Sequence, residues 1–148
     1  MTATKARKKK ATKTRKHAKE DRYGSRTGAV LFASDLDRVA AFYAGVLGLD
    51  EANRDDDHIL LESPGFQMVV HRIPEYAATA IELSKPPARR ASAAFKPVFF
   101  VRSLANVRAA AKAHGGRMEP KTKQWLFDGI VVCDALDPEG KVVQFREI

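Results

Sequence analysis

The sequence predicts an α+β domain built from two tandem modules of one plan, and three observations predict it. Residues 28–36 (GAVLFASDL) and 96–104 (KPVFFVRSL) each lead into an amphipathic stretch in the same gap-free register, 68 residues apart. Val30/Val98, Phe32/Phe100, Leu36/Leu104, Val39/Val107 and Ala41/Ala109 coincide in that frame. Short apolar runs bounded by Gly, Pro and Asp follow each helical pattern, as strands do. Finally, Asp137-Pro138-Glu139-Gly140 has the composition of a tight turn between two closing strands.

The elements follow in order. Gly28–Ser34 is short and continuously apolar, which predicts a strand covered on both faces. Ser34 or Asp35 caps a helix over Leu36–Leu47: Leu36, Val39, Phe42, Tyr43, Val46 and Leu47 recur at three- and four-residue steps, and Gly48 ends it. Asp55–His58 is a turn before a strand at Ile59–Glu62, and Pro64-Gly65 separates that strand from Phe66–Arg72. Residues 74–95, with Pro86-Pro87 and Arg89-Arg90, form the linker between modules at about 27–73 and 96–148, with one helical turn near Tyr76–Leu83. The second half predicts a strand at Pro97–Arg102, a helix at Leu104–His114 closed by Gly115-Gly116, a short strand near Met118, and strands at Gly129–Cys133 and Lys141–Arg146.

Charge divides the chain. The net +8 sits within residues 1–22, where ten Lys and Arg face only Glu20 and Asp21; residues 23–148 carry 16 basic and 16 acidic groups. A tail over residues 1–24 without Val, Ile, Leu or Phe has nothing to bury and is expected to be disordered, leaving residues 25–148 as the domain. Residues 5–22 would draw phosphate backbones weakly and non-specifically, with steep salt dependence. No apolar run reaches about 18 residues and the start of the chain lacks the apolar centre of a secretory signal, so a cytoplasmic protein without membrane contact is expected. The single cysteine, Cys133, lies in an apolar run and reads as buried and inert.

A strand, then Ser-Asp-Leu or Arg-Ser-Leu opening a helix, with a late Asp-Pro-Glu-Gly hairpin, resembles the vicinal oxygen chelate superfamily of glyoxalase I, extradiol dioxygenases and the fosfomycin and bleomycin resistance proteins. The resemblance covers roughly residues 27–148. It implies paired βαβββ modules forming a cup-shaped mixed sheet, helices on its outer face, and often a homodimer. It also implies a metal site at the start of the first strand and on the last strand of each half. The positions that correspond here are Gly28, Gln67, Lys96 and Gln144, and none is the usual His or Glu. A glycine offers no ligand and a lysine ammonium repels a dication, so no metal and no other cofactor is expected.

If those positions look into the cup, strand alternation brings others with them. Phe32 and Phe100, with Val30 and Val98, would form an apolar wall, and Gln67, His71, Lys96 and Gln144 would supply polar groups, the mixture of a small-molecule site. His71 is the candidate acid–base residue, against a half-exposed structural role. Lys96 either holds an anionic ligand group or points into water, and Trp125 is either an aromatic lid on a loop over the cup or core filler. Glu62 reads as a turn residue, the run Asp55–Asp57 as a solvated turn, and His114 as a helix C-terminal residue; His58 and His17 have no evident partner.

Three functions compete. The first is a metal-free protein that binds a small organic ligand. The second is a lyase, isomerase or dioxygenase of the superfamily using His71 or a displaced metal. The third is a nucleic-acid-associated protein acting through its basic tail, which deletion of residues 1–22 tests: DNA retention should be lost.

Overall fold

The computed structural model describes residues 26–148. The expectations for residues 1–24, their order and the nucleic-acid contact through residues 5–22 included, lie outside the described residues. Nine strands and three helices follow in the order β1 (Thr27–Ala33), α1 (Leu36–Leu47), β2 (Asp50–Arg54), β3 (His58–Ser63), β4 (Phe66–Arg72), α2 (Glu75–Ala78), β5 (Val98–Val101), α3 (Leu104–Ala113), β6 (Arg117–Met118), β7 (Trp125–Phe127), β8 (Ile130–Leu136) and β9 (Val142–Glu147). They build two open mixed sheets, one per half, of orders β1-β4-β3-β2 and β5-β9-β8-β6, with β7 added against β8. In both, the first strand runs parallel to the last and the others are antiparallel. The duplicated register of the sequence is therefore a duplicated topology.

The helices form where periodicity and caps agree. Asp35 is the N-cap of α1, its carboxylate accepting from the Arg38 backbone N–H, and Gly48 closes the helix at φ 65°, a left-handed conformation a side chain would resist. Ser103 caps α3 in the same way through the Asn106 N–H. One face of α1 buries Leu36, Val39, Phe42, Tyr43 and Val46 against β3, β4 and α3, each large apolar chain worth roughly 1.5–3 kcal/mol. A single core joins both halves, running from Ile59, Met68 and Val70 through α1 and α3 to Cys133, Val143 and Phe145. Cys133 is fully buried, and burial pushes its thiol pKa up.

The Asp137–Gly140 turn ties the halves together. Glu139 Oε1 accepts from the backbone N–H groups of Ser34 and Asp35 at 2.7 and 2.8 Å, and Glu147 Oε1 accepts from Leu104 N–H at 3.1 Å. Carboxylates from the last hairpin thus satisfy donors at the starts of both long helices, where the helix dipole favours negative charge. Tyr43 donates its hydroxyl proton to Asp137 at 3.3 Å; burial first, then the nearby Asp137 charge, hold the phenol pKa well above its ordinary value. Burial likewise raises the Asp137 carboxyl, against the pull of Lys141.

Several expectations change. The first strand is not covered on both faces: Leu31 and Ala33 turn to the core, while Val30 and Phe32 are 60% and 50% exposed. Trp125 is neither on a loop nor in the core; it opens β7, paired with Val132, and is 39% exposed. Glu62 lies within β3 opposite Gln67. The strand expected to end at Cys133 runs on to Leu136, where Ala135 and Leu136 continue its buried run, and the last strand ends one residue past Arg146, at Glu147. The linker holds only the four-residue turn α2. No helix among the described residues is long and apolar enough to cross a membrane.

Candidate ligand-binding site

Each sheet turns one face to the helices. On the far face the first sheet exposes Val30 and Phe32, while the second buries Val132, Asp134, Leu136 and Gln144 and exposes Val98, Phe100, Trp125 and Phe127. The sequence-predicted site residues lie on or beside these faces, divided between the sheets. On the first sheet, cross-strand pairing sets three rows: Gly28–Gln67–Glu62, Val30–Val69–Leu60 and Phe32–His71–His58. Phe32 and His71 pack ring to ring at 5.2 Å, and His71 meets His58 edge-on at 4.1 Å. His71 Nδ1 lies 2.7 Å from the Arg72 carbonyl oxygen. A carbonyl only accepts, so Nδ1 carries the proton and Nε2 presents its lone pair when the ring is neutral. His58, which had no evident partner in the sequence, has two: the His71 ring and Asp55 Oδ1 at 3.1 Å. Asp55 also accepts from the backbone N–H groups of Asp57 and His58, chiefly the first of which lowers its carboxyl pKa. Glu62 is bridged by Arg26 at 2.9 Å.

On the second sheet the rows are Val98–Gln144–Asp134 and Phe100–Arg146–Val132–Trp125. Asp134 is the hub. Lys96 Nζ lies 3.1 and 3.2 Å from its two oxygens, Arg89 Nη2 lies 3.4 Å away, and Gln144 Nε2 donates to it at 3.4 Å. Lys96 also sits 5.9 Å from the Trp125 ring centroid. Gln144 is fixed at its other end too: its Oε1 accepts from Arg146 Nε at 3.0 Å. The Arg146 guanidinium lies over Phe127 at 4.4 Å and Phe100 at 5.7 Å, near enough for cation–π attraction.

Phe32, Gln67 and His71 thus share the first sheet's open face, while Lys96, Phe100, Trp125 and Gln144 gather on the second sheet's side. Among the described residues no hydrogen bond, ion pair or ring contact joins the two groups. The two glutamines differ in register: Gln67 lies opposite Gly28, whereas Gln144 lies opposite Val98, beyond Lys96. Lys96 points neither freely to water nor to a vacant anion site; it is paired with Asp134. Asp134, Arg146 and Phe127 escaped sequence reasoning. Asp134 hides inside an apolar run, and its partners Arg89 and Lys96 are 45 and 38 residues away in the chain. A separate apolar cavity of about 130 Å³, lined by Val30, Tyr43, Met68, Phe95, Pro97 and Val142, lies between the first half and the end of the linker.

Of the four residues that the resemblance suggested as metal positions, Lys96 and Gln144 have other partners. A Cβ at Gly28 would stand 3.4 Å from the Gln67 carbonyl oxygen, the Lys96 ammonium is bound to Asp134, and the Gln144 oxygen is taken by Arg146. Among the described residues no three His, Cys, Asp or Glu side chains are grouped to hold a metal ion.

Residues 28–145 match the glyoxalase-like domain family. A glyoxalase/bleomycin resistance protein/dioxygenase family enzyme from Burkholderia phytofirmans PsJN is similar in structure at TM-score 0.63 and 19% identity, over 82% of this chain and 96% of that one. The bleomycin resistance determinant encoded on transposon Tn5 matches at TM-score 0.55 and 19% identity, over 82% and 96%. A bleomycin-binding protein complexed with bleomycin matches at 0.55 and 19%, over 83% and 98%. At these identities the likeness concerns the fold. No curated protein matches the chain. The duplicated βαβββ topology and the family match over most of the chain agree, and the chain belongs to the glyoxalase-like domain family of the vicinal oxygen chelate superfamily.

Proposed function

We propose that this protein binds a small organic molecule on the far faces of its sheets, without a metal of the superfamily type. One observation carries the reading: Val30, Phe32, Val98, Phe100, Trp125 and Phe127 leave large apolar groups uncovered beside polar side chains whose orientations are already fixed. Apolar surface with a few positioned polar groups is what a small-molecule site needs. The fold likeness to a bleomycin-binding protein supports the same class of function. The donor set argues against a divalent ion, since it comprises a glycine, a cation and two amides, one of which is engaged.

We propose further that a second copy of the chain faces these surfaces, so that a complete cup is made in a homodimer. Apolar groups left this exposed on a monomer commonly mark an interface. Acid–base chemistry is a second reading, supported by the His71 tautomer that leaves Nε2 open beside Phe32. It requires a turnover that disappears in His71→Gln. The binding reading is tested by titrating a panel of aromatic and heterocyclic ligands in excess chelator and following the fluorescence of Trp125, the only tryptophan. Saturable responses are expected; none across the panel would contradict the proposal.

A further inference from the structure

We propose that Arg146 is the anion anchor of this site and that its ligand carries a planar carboxylate on an aromatic or conjugated ring. The inference rests on the small-molecule reading above and adds a ligand class to it.

The charges decide which cation is available. Lys96 is paired with Asp134, and Arg89 reaches both Asp134 and Glu119, so each of these cations already has a carboxylate partner. Arg146 has no acidic partner among the described residues. Its one side-chain hydrogen bond runs from Nε to the neutral Gln144 oxygen, which leaves both Nη groups uncommitted. A half-buried guanidinium in that condition attracts an anion, and a single uncompensated charge suits a monoanion better than a phosphate dianion.

The geometry decides the shape. The guanidinium carbon lies 4.4 Å from the Phe127 ring centroid and 5.7 Å from that of Phe100, and the two Nη groups, which have no partner among the described residues, form the donor edge offered to an anion. That edge fits a carboxylate through two parallel N–H···O bonds. The same rings, 52% and 57% exposed, offer surface for a flat group attached to the carboxylate.

Rigidity makes the site selective. Gln144 is 6% exposed and its amide is oriented at both ends: the nitrogen donates to Asp134, which obliges the oxygen to face Arg146. The guanidinium is therefore held before a ligand arrives, which lowers the ordering cost of binding. The role of anion holder passes from Lys96, where the sequence suggested it, to Arg146.

The test uses 2-naphthoate and 2-naphthamide, which share a ring system and differ in charge, titrated calorimetrically into the full chain and into Arg146→Gln and Arg146→Lys. The wild type is expected to prefer the carboxylate about ten- to hundredfold, the range of a charge-assisted pair. Arg146→Gln should bind both probes alike, and Arg146→Lys should keep only part of the preference, having charge without the planar fork. The wild-type preference, expected to shrink as salt rises, needs no variant and so survives any failure of the variants to fold. Equal binding of the two probes to the wild type, or a preference unchanged in folded Arg146→Gln, overturns the Arg146 inference and leaves the small-molecule reading standing. Binding of neither probe overturns the Arg146 inference, and the small-molecule reading is then decided by the ligand panel.

Discussion

Glu139 Oε1 stands 2.7 Å from the backbone nitrogen of Ser34, joining the last hairpin to the start of the first helix across 105 residues of sequence. The same oxygen takes the Asp35 N–H, and Lys141 Nζ lies 2.8 Å from the other carboxylate oxygen. Removing this carboxylate would strip two backbone donors of their partner and leave the mostly buried Lys141 ammonium with Asp137 alone, 3.6 Å away. Glu139→Ala is therefore expected to cost about 3 kcal/mol, and Glu139→Gln, which keeps an acceptor but not the charge, about 1–2 kcal/mol. Urea denaturation of the two variants measures both.

Tyr43 gives the fold an alkaline limit. Its phenol is held protonated by burial and by Asp137, so the folded pKa is raised above the unfolded value of 10.0. The sign follows: this contribution is complete below pH 10 and is lost as pH rises from there toward the higher folded value. Tyr43→Phe is expected to lose about 1 kcal/mol at pH 7 with the hydrogen bond, and to lose less stability than the wild type on going from pH 9 to 11. Denaturation curves across that range test it.

Gly116 is required for space. A Cβ there would collide with the Phe42 ring and stand 2.6 Å from the Leu136 carbonyl oxygen, so both a core aromatic and a strand would have to give way. Gly116→Ala should destabilise by about 2–3 kcal/mol or more, as overpacked cores do. Its thermal midpoint relative to wild type is the measurement.

Trp125 reports on the electrostatics of the second sheet. It is partly exposed and shares a cross-strand row with Arg146, which has no acidic partner among the described residues, so iodide should quench its fluorescence more effectively than caesium does. In Arg146→Gln the iodide advantage should shrink while acrylamide quenching stays nearly unchanged. A tryptophan shielded from all three quenchers would contradict the placement.

The sequence was informative where a local signal and a tertiary role agree. Helix α1 begins and ends where Asp35, the apolar spacing and Gly48 place it, and strand parity correctly put Gln67 and His71 on one face with Gly28 and Phe32. It misled where composition did not reveal what covers a strand. The continuous apolar run of β1 reads as doubly buried, yet half of it lines an open face. Strand β7 is three residues long, too short for any period to show. The Asp134 network was beyond reach for another reason: Arg89 comes from the linker, Lys96 from the segment before β5, Asp134 from β8 and Gln144 from β9, and only folding brings them together.

The central claim, binding without a superfamily-type metal, meets its most direct test in elemental analysis of protein purified without a metal-affinity tag, followed by calorimetric titration with Zn, Ni, Mn and Fe(II). The account predicts substoichiometric metal as purified and no saturable binding tighter than about millimolar, consistent with a donor set of two amides, a lysine and a glycine. Stoichiometric binding tighter than micromolar would contradict it and would move attention to His71 and His58 as ligands.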